Sequence, residues 1–204
     1  MRIALALAAA LLVLAGCGSE GGTTVVTDPP PHSMPTAIPA APGKVWTYNV
    51  ATVLDTGSPE LCLGPVAESY PPQCSGLPLV GWEWASHRGS FEEAQGTRWG
   101  SYAVGGTWDG ETFTYSDAAT AALYDPAAPS PSSYPTPARE HTEDDLARIA
   151  EDLGDLPGAL TSWPEAGRAH VDVVYDNGSL QTWADEEYGE GVVVVTSMLL
   201  DMES

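Results

Sequence analysis

The sequence predicts a mainly β fold with an α+β part. A small antiparallel β-barrel or sandwich, with an OB-like barrel as the expected topology, is followed by a small α+β domain. Strand-like segments rich in aromatic and β-branched residues fill much of residues 44–118. The clearest helical period comes later, within residues 142–154. Stretches rich in Pro, Gly, Ser and Ala flank the strand-like and the helical segments and set the expected domain boundaries.

Composition divides the chain into five segments. Residues 18–43 hold almost no large apolar side chain and cannot offset the entropy of ordering, so they predict a tether. Residues 119–139 include a Pro-, Ser- and Ala-rich stretch and predict an interdomain linker. The expected segments are a signal peptide (1–16), a lipidated disordered tether (17–43), a β domain with a disulfide (44–118), a linker (119–139) and an α+β domain (140–204).

The β domain is expected to contain four or five strands. Residues 45–54 alternate in part and end at the turn formers of residues 55–59. Further strands are predicted at residues 79–84, 99–108 and 111–115. Asp109-Gly110 separates the last two, and Asp-Gly between alternating runs is a strong hairpin signal.

The α+β domain is expected to begin with a helix. Thr142 fits the N-cap of a capping box with Asp145 at the third helical position, and Gly154 ends the helix. The apolar residues with helical spacing are Leu146, Ile149, Ala150 and Leu153. The run Asp176-Asn177-Gly178, between residues 170–175 and 179–183, predicts a second hairpin. A loop or short helix is expected at residues 185–190 and a last strand at 192–200.

The chain is strongly acidic, with 28 Asp and Glu against 7 Lys and Arg and a net charge of −21. Nucleic-acid binding needs clustered cations on phosphates, so no nucleic-acid partner is expected. An anionic lipid surface would repel such a body, which argues against docking through a basic surface. A large net charge keeps a protein soluble, and this acidity is typical of an extracytoplasmic protein that depends on it for solubility.

The N-terminus has the pattern of a secretory signal. Arg2 precedes an apolar run over residues 3–14, which is too short to span a bilayer, and Leu14-Ala15-Gly16-Cys17 follows. These four residues resemble the lipobox of bacterial lipoproteins. The resemblance implies lipidation of Cys17 and cleavage before it. The alternatives are an ordinary signal peptide with an incidental cysteine and an uncleaved membrane anchor. The resemblance places the chain outside the cytoplasm, anchored by its lipid to the outer face of the cytoplasmic membrane.

The two remaining cysteines, Cys62 and Cys74, predict a structural disulfide. They form an even pair in an expected oxidising compartment. A metal site would need two further ligands, and the intervening segment offers only Glu68. A redox pair would favour Cys-x-x-Cys spacing.

Several stretches are similar to secreted and lipid-anchored proteins of high-G+C Gram-positive bacteria, a group without an established activity. The stretches are residues 60–64, 71–74, 81–84, 99–102, 105–110 and 188–192. The likeness extends over most of residues 44–204. It supports the compartment and carries over no functional residue.

Asp55-Thr56-Gly57-Ser58 resembles the catalytic loop of aspartic proteases. That chemistry needs two carboxylates that share one proton, so a chain with one such loop would have to dimerise. The sequence holds no second Asp-Thr-Gly. Because Asp-x-Gly-Ser is also common turn chemistry, a turn that ends a strand is the favoured interpretation and a hydrolase is an alternative.

Acidic residues near the C-terminus offer oxygen ligands for Ca²⁺, although their spacing does not match an EF-hand loop. The candidates are Asp176, Asp185, Glu186, Glu187 and Glu190. A solvated acidic loop is the favoured interpretation, so no firm metal site and no cofactor is expected. A metal- or solute-binding lipoprotein is a further alternative.

Aromatic residues on the predicted strands of the β domain are the main binding candidates. Trp82, Trp84, Trp99 and Trp108 would suit stacking on sugars or a peptide if exposed, and would form the core if buried. The core interpretation is favoured for the set as a whole. The expected function is therefore a binding or interaction module at the cell envelope, with an envelope protein or polysaccharide as partner. No catalytic residue is assigned.

Overall fold

The computed structural model describes residues 33–124 and 134–202. The lipobox with Cys17 lies outside these ranges, as do most of the predicted tether and part of the predicted linker. Within the two ranges, no helix is long and apolar enough to cross a membrane.

The described residues form eleven strands and two α-helices, in agreement with the predicted β-rich α+β class. The first seven strands are β1 (Lys44–Thr47), β2 (Ala51–Asp55), β3 (Pro59–Cys62), β4 (Leu77–Val80), β5 (Glu92–Ala94), β6 (Thr97–Trp108) and β7 (Phe113–Thr120). The C-terminal elements are α1 (Glu143–Leu153), β8 (Ala159–Glu165), β9 (Arg168–Val173), α2 (Ser179–Tyr188), β10 (Val193–Ser197) and β11 (Leu199–Asp201). Short 3-10 helices cover Trp84–His87 and Ala121–Leu123.

Five strands close into a barrel. Around the ring, β2 pairs with β3, β3 with β4, β4 with β7, β7 with β6, and β6 with β2. The β4–β7 pair is parallel and the other four pairs are antiparallel. This closed order leaves no free edge within the ring and agrees with the predicted OB-like barrel.

The long strand β6 organises the barrel and its extension. β1 and β2 both pair antiparallel to β6, β1 with residues 105–107 and β2 with residues 98–102. The predicted single strand at residues 45–54 is therefore two strands, separated at residues 48–50. The predicted hairpin at Asp109 is confirmed, because β6 and β7 pair on either side of it. A bulge between Gly105 and Gly106 bends β6. A Cβ atom on Gly106 would lie 2.5 Å from the Phe113 ring, which explains the glycine at this crossing.

The C-terminal region forms a second layered unit. Its sheet has the order β10–β9–β8, with β10 parallel and β8 antiparallel to β9. Alternate side chains of β9 point to the helices, so Ala169, Val171 and Val173 are fully buried. The apolar faces of α1 and α2 complete this core with Leu146, Leu153 and Leu180.

Two predictions for this region are correct and two are wrong. The capping box of Thr142 and Asp145 is present, and Gly154 caps the end of α1. Residues 179–183 begin α2 instead of pairing with β9, because the parallel β9–β10 pair needs a crossover and α2 provides it. The predicted last strand is divided at Met198 into β10 and β11.

The two predicted domains share part of one core. β11 pairs with β1 and extends the sheet of the barrel. Val174, Tyr175 and Leu199 pack with the barrel core, although they belong to the C-terminal region. The described residues form one compact unit, and its contacts include pairs from both sides of the predicted linker at residues 119–139.

Candidate functional site

The structure places three of the four candidate tryptophans in the barrel core. Trp82, Trp84 and Trp108 are only 5 %, 7 % and 2 % exposed. Trp82 and Trp84 pack edge to face with their ring centroids 5.5 Å apart. The predicted strand at residues 79–84 ends at Val80, and the chain turns at Gly81 with a φ of 85°, so both indoles lie inside. None of the three presents a free ring face for stacking.

Trp99 lies on the outer side of the barrel and is only partly buried. Side chains alternate along a strand, and Tyr102, three residues further along β6, is fully buried in the core. The register partners of Trp99 are Leu54 on β2 and Glu92 on β5. Trp99 is therefore the one candidate of the four that a ligand can reach.

Tyr70 joins Trp99 to form a surface that the sequence did not predict. The two rings are nearly perpendicular, at 89°, with centroids 5.2 Å apart. Tyr70 is 68 % exposed, and aromatic rings of this size usually bury most of their area. We call the two residues the Tyr70–Trp99 surface. The only sequence signal for it is an aromatic residue before two prolines between the cysteines.

A disulfide closes the loop that carries Tyr70. Cys62 and Cys74 are bonded, with their Cα atoms 6.2 Å apart, which confirms the predicted pairing. Inside the loop, Ala67 and Gln73 form an antiparallel bridge. The loop connects the end of β3 to the start of β4, so the barrel and the disulfide together fix its base.

Local hydrogen bonds hold the tip of the loop. The Ser69 hydroxyl donates to the Pro71 carbonyl oxygen at 2.8 Å, and the Gln73 amide donates to the Ser69 hydroxyl at 3.4 Å. The Tyr70–Pro71 peptide bond is cis. The two hydrogen bonds of Ser69 restrain the segment that presents Tyr70, which lowers the entropy lost when a ligand orders it.

Two exposed carboxylates lie next to the Tyr70–Trp99 surface, one along the chain and one across the sheet. Glu68 is exposed in the loop, and Glu92 is the exposed register partner of Trp99. The nearby cation Arg98 donates to Glu93 at 2.9 Å, and this hydrogen bond raises the pKa of Arg98. The rim therefore offers hydrogen-bond acceptors to hydroxyl groups and repels anions.

Asp55 has a structural role in the turn between β2 and β3. One carboxylate oxygen accepts from the backbone N–H of Gly57 at 2.8 Å, and the other accepts from the indole N–H of Trp84 at 2.8 Å. These contacts support the turn interpretation. Within the described ranges, the groups hydrogen-bonded to Asp55 are an amide and an indole, with no carboxylate among them.

Two of the candidate metal ligands serve the fold of α2. The Asp176 carboxylate accepts from backbone N–H groups at the start of the helix. Asp185 accepts from the Gln181 amide at 3.0 Å and from the Gly191 N–H at 3.3 Å. Glu186 and Glu187 lie on the last turn of α2, and Glu190 follows it. Residues 33–124 and 134–202 contain no group of three His, Cys, Asp or Glu side chains arranged to hold a metal ion.

No protein-family model, curated protein or solved structure matches this chain.

Proposed function

We propose that the protein is a binding module of the cell envelope, and that the Tyr70–Trp99 surface contacts a neutral polysaccharide. The observation that carries the proposal is Tyr70, which is 68 % exposed on a disulfide-closed loop and packs against Trp99. An exposed aromatic ring leaves apolar area in water, and burial of this area against a ligand lowers the free energy of the complex.

The charge around this surface selects among ligands. Sugar rings offer C–H faces for stacking and hydroxyl groups for hydrogen bonds to carboxylates such as Glu68 and Glu92. A net charge of −21 disfavours anionic polymers. A neutral polysaccharide therefore fits the chemistry of the surface better than a charged one.

The proposed location is the outer face of the cytoplasmic membrane, with a lipid on Cys17. The Cys62–Cys74 disulfide supports an oxidising compartment. The lipobox pattern at residues 14–17 and the resemblance to secreted and lipid-anchored proteins favour the same place. Labelling with a radioactive fatty acid should mark the native chain and leave a Cys17→Ala variant unlabelled. Label on both chains would contradict anchoring at Cys17.

The binding test compares variants of the chain from Gly18 onward, which contains the whole compact unit. Co-sedimentation with insoluble neutral cell-wall polysaccharide measures the bound fraction. Tyr70→Ala should weaken binding about tenfold, since a stacking aromatic contributes about 1.4 kcal/mol. Leu123→Ala is the matched control, because Leu123 is 83 % exposed and lies on a different element. Equal binding by all three chains would contradict the proposal.

A further inference from the structure

Residues 34–41, at the end of the segment predicted as a tether, lie against the folded body, and we call them the strap. Met34 packs against the core that α1 and α2 form with their sheet. Ile38 and Ala41 pack against the barrel core. Two residues further along the chain, β1 begins at Lys44. The strap therefore contacts both cores of the compact unit before the first strand.

The end of β6 holds the strap by hydrogen bonds. The indole N–H of Trp108 donates to the Pro39 carbonyl oxygen at 2.9 Å, and the Ala41 N–H donates to the Trp108 carbonyl oxygen at 2.9 Å. Trp108 is the last residue of β6 and is only 2 % exposed. Its indole N–H is bonded to the strap, so its exchange with water reports the departure of the strap.

Two glycines make room for Ile38. A Cβ atom on Gly158 would lie 2.9 Å from the Ile38 Cδ1 atom, and one on Gly110 would lie 3.2 Å from the Ile38 carbonyl oxygen. Gly110 belongs to the turn after β6, and Gly158 directly precedes β8. Ile38 thus lies against the barrel and against the C-terminal region at the same time.

The strap has few of the features that protect a segment from local opening. Every one of its residues is at least partly exposed, and it forms no helix or strand. Pro35 and Pro39 have no N–H group to donate. Segments with little buried apolar area and few hydrogen bonds open at a lower cost in free energy than the core. The barrel beneath is closed by its own ring of strands, so its pairing does not depend on the strap.

We propose that the strap is releasable, and that it leaves the body while the barrel and the C-terminal sheet stay folded. Its role rests on the proposed anchoring at Cys17, because release lengthens the chain between that anchor and the body. With the strap in place, the 17 steps from Cys17 to Met34 span at most about 60 Å. After release, the 27 steps from Cys17 to Lys44 span at most about 95 Å. Release thus extends the reach of the Tyr70–Trp99 surface by up to about 35 Å.

Hydrogen exchange of single N–H groups, followed by NMR on the chain from Gly18 onward, tests the release. The Trp108 indole N–H reports the strap. The Val53 N–H reports global unfolding, because Val53 is fully buried on β2, which pairs on both sides. In urea below the unfolding transition, Val53 exchange should accelerate about tenfold or more per molar, since global unfolding exposes most of the chain. Trp108 exchange should change less than about twofold, since release exposes little surface. Equal urea dependence of the two groups would overturn the proposal.

Two Ile→Ala variants then identify the strap as the part that moves. Ile38→Ala should accelerate Trp108 indole exchange about tenfold, because the docked strap loses contacts that the released strap does not make. Ile149→Ala is the matched control, since Ile149 is also half-buried and lies on α1. It should leave Trp108 exchange unchanged, although it weakens the fold as a whole. Equal acceleration by both variants, or none by Ile38→Ala, would overturn the proposal.

The exchange test is independent of the lipid anchor and of the polysaccharide surface. The chain from Gly18 onward lacks Cys17, so the behaviour of the strap is measured without any lipid. Absence of fatty-acid label on the native chain would overturn the role of the strap in reach, and the exchange result would still stand. A strap that opens only with global unfolding would overturn the release and leave the tests of Cys17 and Tyr70 unaffected.

Discussion

Asp176 is expected to hold the start of α2, and its replacement by Ala should destabilise the chain by about 2–3 kcal/mol. Its carboxylate accepts from the N–H groups of Gly178 and Leu180 at 2.9 Å each and of Gln181 at 3.2 Å. Gly178 is the N-cap residue of α2 and has no side chain to cap with, so Asp176 caps the helix from two residues upstream. Loss of a capping side chain costs about 0.5–2 kcal/mol. Loss of a negative charge at a helix N-terminus costs about 0.3–1 kcal/mol more. With three N–H groups bound, the sum should lie in the upper part of these ranges.

Urea unfolding followed by circular dichroism measures this loss. For a chain of this size, 1 kcal/mol shifts Tm by about 2–4 °C, so Tm should fall by about 4–12 °C in a thermal scan of the same variant. Asp176→Asn keeps one acceptor oxygen and should lose about half as much stability. Asp155→Ala, at an exposed position beyond α1, is the matched control and should change stability by less than about 0.5 kcal/mol.

The same variants distinguish a cap from a calcium ligand. If Asp176 serves the helix alone, 5 mM Ca²⁺ should leave the Tm of the parent and of Asp176→Ala unchanged. A loss below about 0.5 kcal/mol for Asp176→Ala would refute the capping argument. A calcium-dependent rise in Tm that Asp176→Ala abolishes would instead support the metal-binding alternative.

Three further predictions concern stability. Gln181→Ala should cost about 2 kcal/mol in urea unfolding, because the amide accepts from the Val195 N–H and donates to the Val193 carbonyl at the edge of β10. Gly106→Ala should lower the free energy of unfolding in urea by about 1–3 kcal/mol, since the added methyl overlaps the Thr114 carbonyl oxygen and the Phe113 ring; an unchanged free energy of unfolding would contradict the packing. Burial lowers the pKa of His87 below 6.5, so the unfolded chain binds its proton more readily. The free energy of unfolding is therefore unaffected by this histidine above pH 6.5, and it falls as the pH drops from 6.5 towards the pKa of His87 in the folded chain. His87→Phe should reduce the loss of stability between pH 7.5 and 5, whereas an equal loss in both chains would exclude His87 as a contributor.

Local signals in the sequence predicted much of the fold. The capping box of Thr142 and Asp145 needs only residues within one helical turn, and it forms as predicted. At the Asp109 turn, the carboxylate accepts from the N–H groups of Glu111 and Thr112, which again depends on neighbours alone. Alternation along β6 and β7 was sufficient to predict their pairing.

The errors arose where distant contacts decide the structure. Asp176-Asn177-Gly178 has the composition of both a hairpin turn and a helix start. Leu180, Trp183 and Ala184 are buried with helical spacing, and this pattern, together with the parallel partner β10, favours the helix. The sequence of this short segment is compatible with both structures, and the strand β10 that follows it decides which of them forms.

The candidate site was predicted only in part. Trp99 was named from its position on a strand, but burial of the other three tryptophans depends on how the barrel closes. Tyr70 was not named, because its position beside Trp99 results from the Cys62–Cys74 loop folding over the barrel. Proximity between a loop and a strand about thirty residues away leaves no local pattern in the sequence.

The most direct test of the proposed binding surface is an NMR titration with tyrosine labelled in its ring. A soluble fragment of the neutral wall polysaccharide is added to the chain from Gly18, and Tyr70→Phe assigns the Tyr70 signal. Tyr102 is buried in the barrel and provides an internal control. We predict that the chemical shift of the Tyr70 ring changes in proportion to the fraction of protein bound, while that of Tyr102 stays constant. A Tyr70 signal that stays unchanged at saturation would contradict the proposal.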